Sequence, residues 1–376
     1  MNKRQNEVFV WPLCTRIIHW MIALSFITSF ITAFFHSLFK WHLAFGWIFG
    51  IVLIYRLVWG IVGPNYATFK TFKLSFAELR YYFVEKVQNR WRKIHAGHNA
   101  ASSWFTIIVL CFGLEIVLSG LLLQGTQEAS GPFCFLNNDF FKASTFLFYV
   151  HEYGAYILVA WAFIHISGVL VEQFYHKTHM LFAMVTGYKR AEGEDTVVSI
   201  WHHLFAYSVI AISIGMLYTI VYDEKSYLTH ERFAKIDYAA ENEAYAQKCG
   251  KCHKPYPPFM LPSASWTLLM DGLSNHFGEA ISDRNITQSE QESIRAYLAN
   301  RSAETSSRKL AFKTLDSLGT MHPISMSKVP YWRAAHEHID RSVYKRPSIK
   351  EASNCFACHE GFEFGILDNT RIHIPQ

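Results

Sequence analysis

The sequence predicts an all-α protein in two parts, a membrane bundle of five transmembrane helices followed by a small, mostly helical soluble domain. Three observations carry this reading. The 376-residue chain is 51% hydrophobic and 16% aromatic but only 17% charged, too apolar for an ordinary water-soluble domain. Every long apolar run lies before about residue 225, and the polar remainder holds no segment able to cross a bilayer. Four of the seven cysteines then fall into two identical Cys-x-x-Cys-His patterns within that polar part. The expected division is a membrane domain over 1–222, a linker over 223–245 and a second domain over 246–376. The formal charge of +5 is modest and clustered in particular loops; it speaks to membrane orientation and against a nucleic-acid partner.

The N-terminus, MNKRQNEVFVWPLCTR, is short and basic and lacks a small-residue cleavage site, so the first apolar run reads as a retained anchor. Spans are expected at roughly 17–35, 42–62, 101–123, 147–172 and 203–222. The longest connection, 63–97, carries Lys70, Lys73, Arg80, Lys86, Arg90, Arg92 and Lys93, whereas 36–41 and 124–146 carry one lysine each. The positive-inside bias places that loop and the N-terminus in the cytoplasm, and five spans then put the C-terminal domain on the opposite side. Trp41, Trp47, Trp104 and Trp201 sit near span ends, as interfacial anchors do.

The fourth span holds two histidines, His151 and His165, where a lipid-facing helix should carry none. Their fourteen-residue spacing separates them by about 21 Å along a helix and turns them only about 40° apart. His19, at the inner start of the first span, lies level with His165; His42, at the outer start of the second, lies level with His151. Two clefts between helices therefore each offer two imidazoles, the donor set of a bis-histidine haem; buried histidines bonded to neighbouring helices are the competing explanation. Gly46, Gly154 and Gly168 would let backbones approach a flat macrocycle. Arg16 and Arg56 either pair with haem propionates or snorkel to the headgroups. Glu115, inside the third span, is either a proton relay beside the outer haem or a protonated packing residue. His95 and His98 read as loop residues. His176, His179, His202 and His203 lie at cytoplasmic span ends, where a structural role competes with a place in a quinone pocket.

The RIIHW of the first span, the H-x-x-x-G of His42 and Gly46 followed by RLVWG, the GHN at 97–99 and the paired histidines followed by MVTGYKR resemble the di-haem cytochrome b family over residues 8–222. That family includes bacterial cytochrome b561 and the membrane subunits of nickel-iron hydrogenase and formate dehydrogenase. The resemblance implies an inner b haem on His19 and His165, an outer b haem on His42 and His151, and electron exchange with the quinone pool.

In the polar part, Cys249, Cys252 and His253 spell CGKCH, and Cys355, Cys358 and His359 spell CFACH. Residue frequencies give about 0.007 chance occurrences of this pattern per chain. Its chemistry is covalent attachment of c-type haem: two thiols form thioethers and the adjacent imidazole becomes an axial ligand. A zinc site and disulfides are the rival readings of these cysteines; Cys14, Cys111 and Cys134 receive no role. For the sixth ligands, SASWTLLMDGLSNHFGE reads as one amphipathic helix with Trp266, Leu269, Leu273 and His276 on a stripe, and PYWRAAHEHID puts His336, rather than His338, on the face of Trp332 and Ile339. Met260, Met270, Met321 and Met326 are the alternatives. Thr287 and Glu290 have capping-box spacing at the head of another helix. The region 245–376 resembles the dihaem cytochrome c domain of small bacterial redox proteins, through PPFMLP, HFGE, P-Y-W-R-x-x-H and NCFACHEGFEFG with RIHIP. That resemblance implies two bis-histidine c haems.

The expected whole is a bacterial inner-membrane cytochrome with two non-covalent b haems and two covalent c haems in series. It would pass electrons between the quinone pool and a periplasmic soluble redox protein, with membrane lipid around it and a dehydrogenase subunit as a further conceivable partner. The rival is a terminal oxidoreductase, acting on a small oxidant at an open c haem or oxidising superoxide in the cytochrome b part.

Overall fold

The computed structural model describes residues 7–87, 96–137, 144–175, 180–223, 226–229, 233, 235–281, 286–368 and 371–376. Arg90, Arg92, Lys93, His95, His176 and His179 lie outside the described residues. The chain forms two compact units, residues 1–120 with 146–226 and residues 121–145 with 227–376.

In the first unit, five helices are long and apolar enough to cross a membrane: α1 Leu13–Thr32, α2 Phe39–Val62, α4 Ala100–Gln127, α5 Ser144–Leu170 and α7 Ile200–Val221. The α5 span continues as a π-helical turn, Val171–Tyr175. The end of α4, from Leu121, and the first two residues of α5 belong to the second unit. Leu24, Ile31, Ile61 and Phe163 are all more than half exposed; in water such a surface would aggregate, and in a bilayer it is the solvated face. α1 packs along α2, and α7 packs on both. Between them Ile18, Ile48, Val52, Trp59 and Val209 form a buried core.

Three features of this unit were not expected from sequence. The long basic connection contains an amphipathic helix, α3 Phe76–Val87, and a short helix, α6 Met180–Thr186, follows the fourth span. The N-terminal segment β1 Glu7–Phe9 pairs antiparallel with β2 Tyr188–Arg190. The ladder buries Lys189, whose Nζ donates to the carbonyls of Ala96 (3.2 Å) and Gly97 (3.3 Å), compensating the burial of its charge.

The second unit contains the short α8 Tyr238–Glu241, then α9 Ser263–Asp271, α10 Gln288–Asn300, α11 Lys309–Leu318 and α12 Pro330–Ala335. Thr287 and Glu290 form the capping box that starts α10. The core gathers Tyr245, Phe259, Trp266, Ile294, Leu298, Val329 and Phe362 around the two Cys-x-x-Cys-His segments. Met260, Met270 and Met326 are buried in that core, and Met321 is exposed. The expected continuous helix through His276 is not formed. α9 stops at Gly272, a short 3₁₀ turn covers Leu273–Asn275, and His276 is extended and bridged to Glu279; glycine is a poor helix former and weakens the helix at that point.

The loop after α4 belongs to this unit. The Asn137 amide donates to the carbonyls of Thr126 (2.7 Å) and Ser307 (3.2 Å), and the Ser307 hydroxyl donates back to Asn137 Oδ1 (2.7 Å). Gln124 donates to the Leu228 carbonyl, and Lys309 pairs with Glu128.

Candidate functional site

Four pairs of histidines organise the possible chemistry, two in each unit. On α1 and α5, His19 faces His165 with ring centroids 6.3 Å apart. On α2 and α5, His42 faces His151 at 6.1 Å with the rings nearly perpendicular, at 86°. In the second unit His336, at the end of α12, faces His359 at 6.1 Å. His276 and His253 are near enough for charge on one to oppose charge on the other. A metal bound on both sides by imidazole nitrogens at about 2 Å sets ring centroids about 6 Å apart. Three of these separations fit that requirement.

The orientation of the rings fits it as well. A carbonyl only accepts, so an imidazole nitrogen bonded to one must carry the proton, which leaves the other nitrogen's lone pair for a metal. His42 Nδ1 donates to the Ser29 carbonyl (2.9 Å) and His151 Nδ1 to the Ile116 carbonyl (2.9 Å). His336 Nδ1 donates to the Trp332 carbonyl (2.8 Å), and His253 Nδ1 to that of Lys254 (2.9 Å). Each therefore presents Nε2. Ser29 and Ser119 add their hydroxyls beside His42 and His151, at 3.3 and 3.1 Å. Two rings are also fixed by stacking, His165 on Phe105 (4.4 Å) and His336 on Trp332 (4.4 Å).

Glycine makes room for one of these rings. A Cβ on Gly120 of α4 would stand 2.9 Å from His151 Cε1. Of the glycines singled out from sequence, Gly154 accommodates the Glu115 carboxyl, Gly46 has only an ordinary contact with Ser29 Oγ (3.6 Å), and Gly168 has nothing within 4 Å. The Glu115 carboxyl, carried by α4, thus packs against α5 one turn from His151, with both oxygens buried.

Buried donors suited to a carboxylate lie toward the His19 end. Arg56 follows His42 by fourteen residues, so it stands about 21 Å further along α2, at the depth of the His19 pair. Its guanidinium packs on Phe69 (5.1 Å) and Phe72 (5.9 Å), with Nη1 buried and unpartnered. Arg16 donates through Nη1 to the Val185 carbonyl while its Nε is buried and unpartnered. Orphaned guanidinium N–H groups of this kind fit the propionates of a haem. His98 lies between Trp11 (4.9 Å) and Phe72 (4.8 Å). Burial, then the positive charges of Arg56 and Lys189, push it down to about 3; it is a neutral packing residue. Asn99 beside it caps α4 by accepting from the Ser102 amide (2.8 Å).

None of the seven cysteines forms a disulfide with another. Cys249 closes a π-helical turn and Cys355 opens a 3₁₀ turn. Burial pushes Cys249 up to about 11 and Cys355 up to about 12. Among the described residues no group of three or more His, Cys, Asp or Glu side chains is arranged around a common point for a metal ion. The closing RIHIP segment runs beside the second motif, with His359 bridged to Ile372 and the His373 amide donating to the Cys358 carbonyl (2.9 Å). Burial, then His336, pushes His359 down to about 4, keeping its imidazole neutral.

The family model for prokaryotic cytochrome b561 matches residues 10–187, and that for dihaem cytochrome c matches residues 245–366. A solved structure, the diheme cytochrome c from Rhodobacter sphaeroides, is 31% identical over 33% of this chain and 95% of its own, with a TM-score of 0.29. The chain thus carries a prokaryotic cytochrome b561 domain followed by a dihaem cytochrome c domain. The diheme cytochrome type c from Shewanella baltica OS155 is 26% identical to the dihaem domain, over 37% of this chain and 95% of its own, with a TM-score of 0.29. A search of the curated proteins finds no match. Both domains are those of haem-dependent electron transfer, so this is a multi-pass membrane electron-transfer cytochrome. The α7 span lies beyond the residues matched to cytochrome b561.

Sequence reasoning singled out the histidines but missed what holds them. The carbonyls of Ser29, Ile116 and Trp332 carry no signal in a one-dimensional pattern, and Gly120 is one glycine among 20.

Proposed function

We propose that this cytochrome carries electrons between membrane quinol and a soluble redox protein, through two b haems and two c haems in series. The observation that carries this is the repeated arrangement of facing imidazoles about 6 Å apart, present twice in the b561 domain and again at His336 and His359. On this reading His19 with His165 and His42 with His151 hold the b haems. Cys249 and Cys252 attach one c haem, with His253 and His276 as its axial ligands. Cys355 and Cys358 attach the other, with His359 and His336. Domains 1–222 and 246–376 flank the linker 223–245, the N-terminus is cytoplasmic and the dihaem domain periplasmic.

The haems supply one-electron chemistry. The protein's part is to fix each imidazole tautomer through Ser29, Ile116, Trp332 and Lys254, and to neutralise propionate charge with Arg16 and Arg56. His336 opposite His359 favours a conductor over a terminal oxidoreductase, because an iron held by both imidazoles would have no position left for a small oxidant. Rapid mixing of oxidised protein with a short-chain quinol tests the direction: b-haem reduction should precede c-haem reduction, and a soluble acceptor should reoxidise the chain through the c haems. Absence of b-haem reduction by any quinol contradicts the proposal.

A further inference from the structure

A cleft of about 450 Å³ lies between the last turns of α2 and the first turns of α7, within the volume range of small-molecule sites. Its walls are aromatic. Trp59 and Phe205 stack nearly parallel at 5.3 Å, and His202 stands edge-on to Trp59 at 5.2 Å. Ser208 lines the cleft and shares a hydrogen bond with Tyr55 (3.2 Å). Trp201 and Leu204 line it too and are 73% and 50% exposed, on the part of the bundle that meets lipid.

The polar groups have defined roles. The Ser199 backbone N–H donates to His202 Nδ1 (3.0 Å), so the neutral imidazole carries its proton on Nε2, as a hydrogen-bond donor. Trp59 is buried and its Nε1 donates to Thr15 Oγ1 (2.9 Å). Thr15 precedes His19 by one helical turn, about 6 Å along α1. One wall is therefore anchored to the helix that carries a candidate ligand of the inner b haem. No lysine or arginine is among the described residues lining the cleft, so it lacks the cation that a phospholipid head group would select.

We propose that this cleft binds the head group of a membrane quinone, its ring against Trp59 and Phe205, a carbonyl accepting from His202 Nε2, and its isoprenoid tail leaving past Leu204 into lipid. The site rests on the quinone reading above and assigns the exchange to the His19 end of the bundle. It uses α7, the span outside the matched cytochrome b561 residues.

The test uses the full haem-loaded protein in lipid nanodiscs. An azido-ubiquinone photolabel should attach to peptides covering 55–62 and 200–208, and excess unlabelled ubiquinone should suppress it. Leu204→Trp, which fills the cleft from its lipid side, should raise the KM for decylubiquinol at least as far as the roughly tenfold expected from losing the His202 polar contact, with dithionite-reduced b-haem spectra unchanged. His202→Leu should do the same without relying on bulk. If quinol reduces the b haems but the label maps elsewhere and both variants keep the parental KM, the cleft is wrong and the proposed function stands. Label displaced by phosphatidylethanolamine but not by ubiquinone also overturns the site. If no quinol reduces the b haems, the proposed function fails and the cleft with it.

Discussion

Gly120→Ala should remove the outer b haem and leave the inner one. The added Cβ would stand 2.9 Å from His151 Cε1 and 3.3 Å from Nδ1, against an optimal carbon–carbon separation of about 3.5–4.0 Å. The imidazole must therefore yield by roughly 0.6–1 Å. It has little freedom to do so, because the Ile116 carbonyl and Ser119 hydroxyl hold Nδ1 at 2.9 and 3.1 Å. Metal–ligand distances tolerate only about 0.2 Å, and disturbing the groups that orient a ligand costs about 10–100-fold in affinity. Purified Gly120→Ala protein should accordingly show a b-to-c haem ratio near half the parental value by pyridine haemochromogen spectra. Low-temperature electron paramagnetic resonance should lose one low-spin b signal. The control is Gly215→Ala, on α7 with nothing within 4 Å of the new methyl, where both b haems should persist. Full b-haem content and an unchanged spectrum in Gly120→Ala would refute the placement of His151 as an iron ligand.

The dihaem domain offers further tests. His336→Ala should turn one c haem high-spin and His276→Ala the other, each leaving its neighbour low-spin in the resonance spectrum; the same signal lost in both variants contradicts the pairing. Lys309→Met removes the ion pair to Glu128 and should lower the stability of the dihaem unit by about 1–3 kcal/mol, read by calorimetry. Burial works against the Lys309 charge, but Glu128 and Tyr331 outweigh it and the net shift is upward. The pair's contribution is thus complete below the unfolded lysine value of about 10.4 and is lost only as pH rises through the higher folded value; the deficit of Lys309→Met should be constant from pH 7 to 9. Thr287→Ala removes the α10 capping box and should cost about 1 kcal/mol in the same experiment.

The spans and the histidines were legible because both rest on local periodicity. A twenty-residue apolar run and a fourteen-residue spacing survive any tertiary arrangement, and α1, α2, α4, α5 and α7 lie within a few residues of their expected places. The Cys-x-x-Cys-His motifs were legible because attachment chemistry fixes the spacing. What depended on contacts between distant segments was not. The β1–β2 ladder joins residues some 180 positions apart in sequence. The loop through Asn137 belongs with Ser307 and Lys309 although its neighbours in sequence are membrane spans. The stripe through Trp266, Leu269, Leu273 and His276 suggested one helix, but Gly272 inside it carries the stop signal that the apolar spacing concealed.

A redox titration of the purified protein, followed optically and by electron paramagnetic resonance, addresses the four-haem chain most directly. Equal amounts of b and c haem, all low-spin with two axial histidines, are expected. Covalently attached haem alone, with no b-type absorption in freshly purified membrane protein, would contradict it.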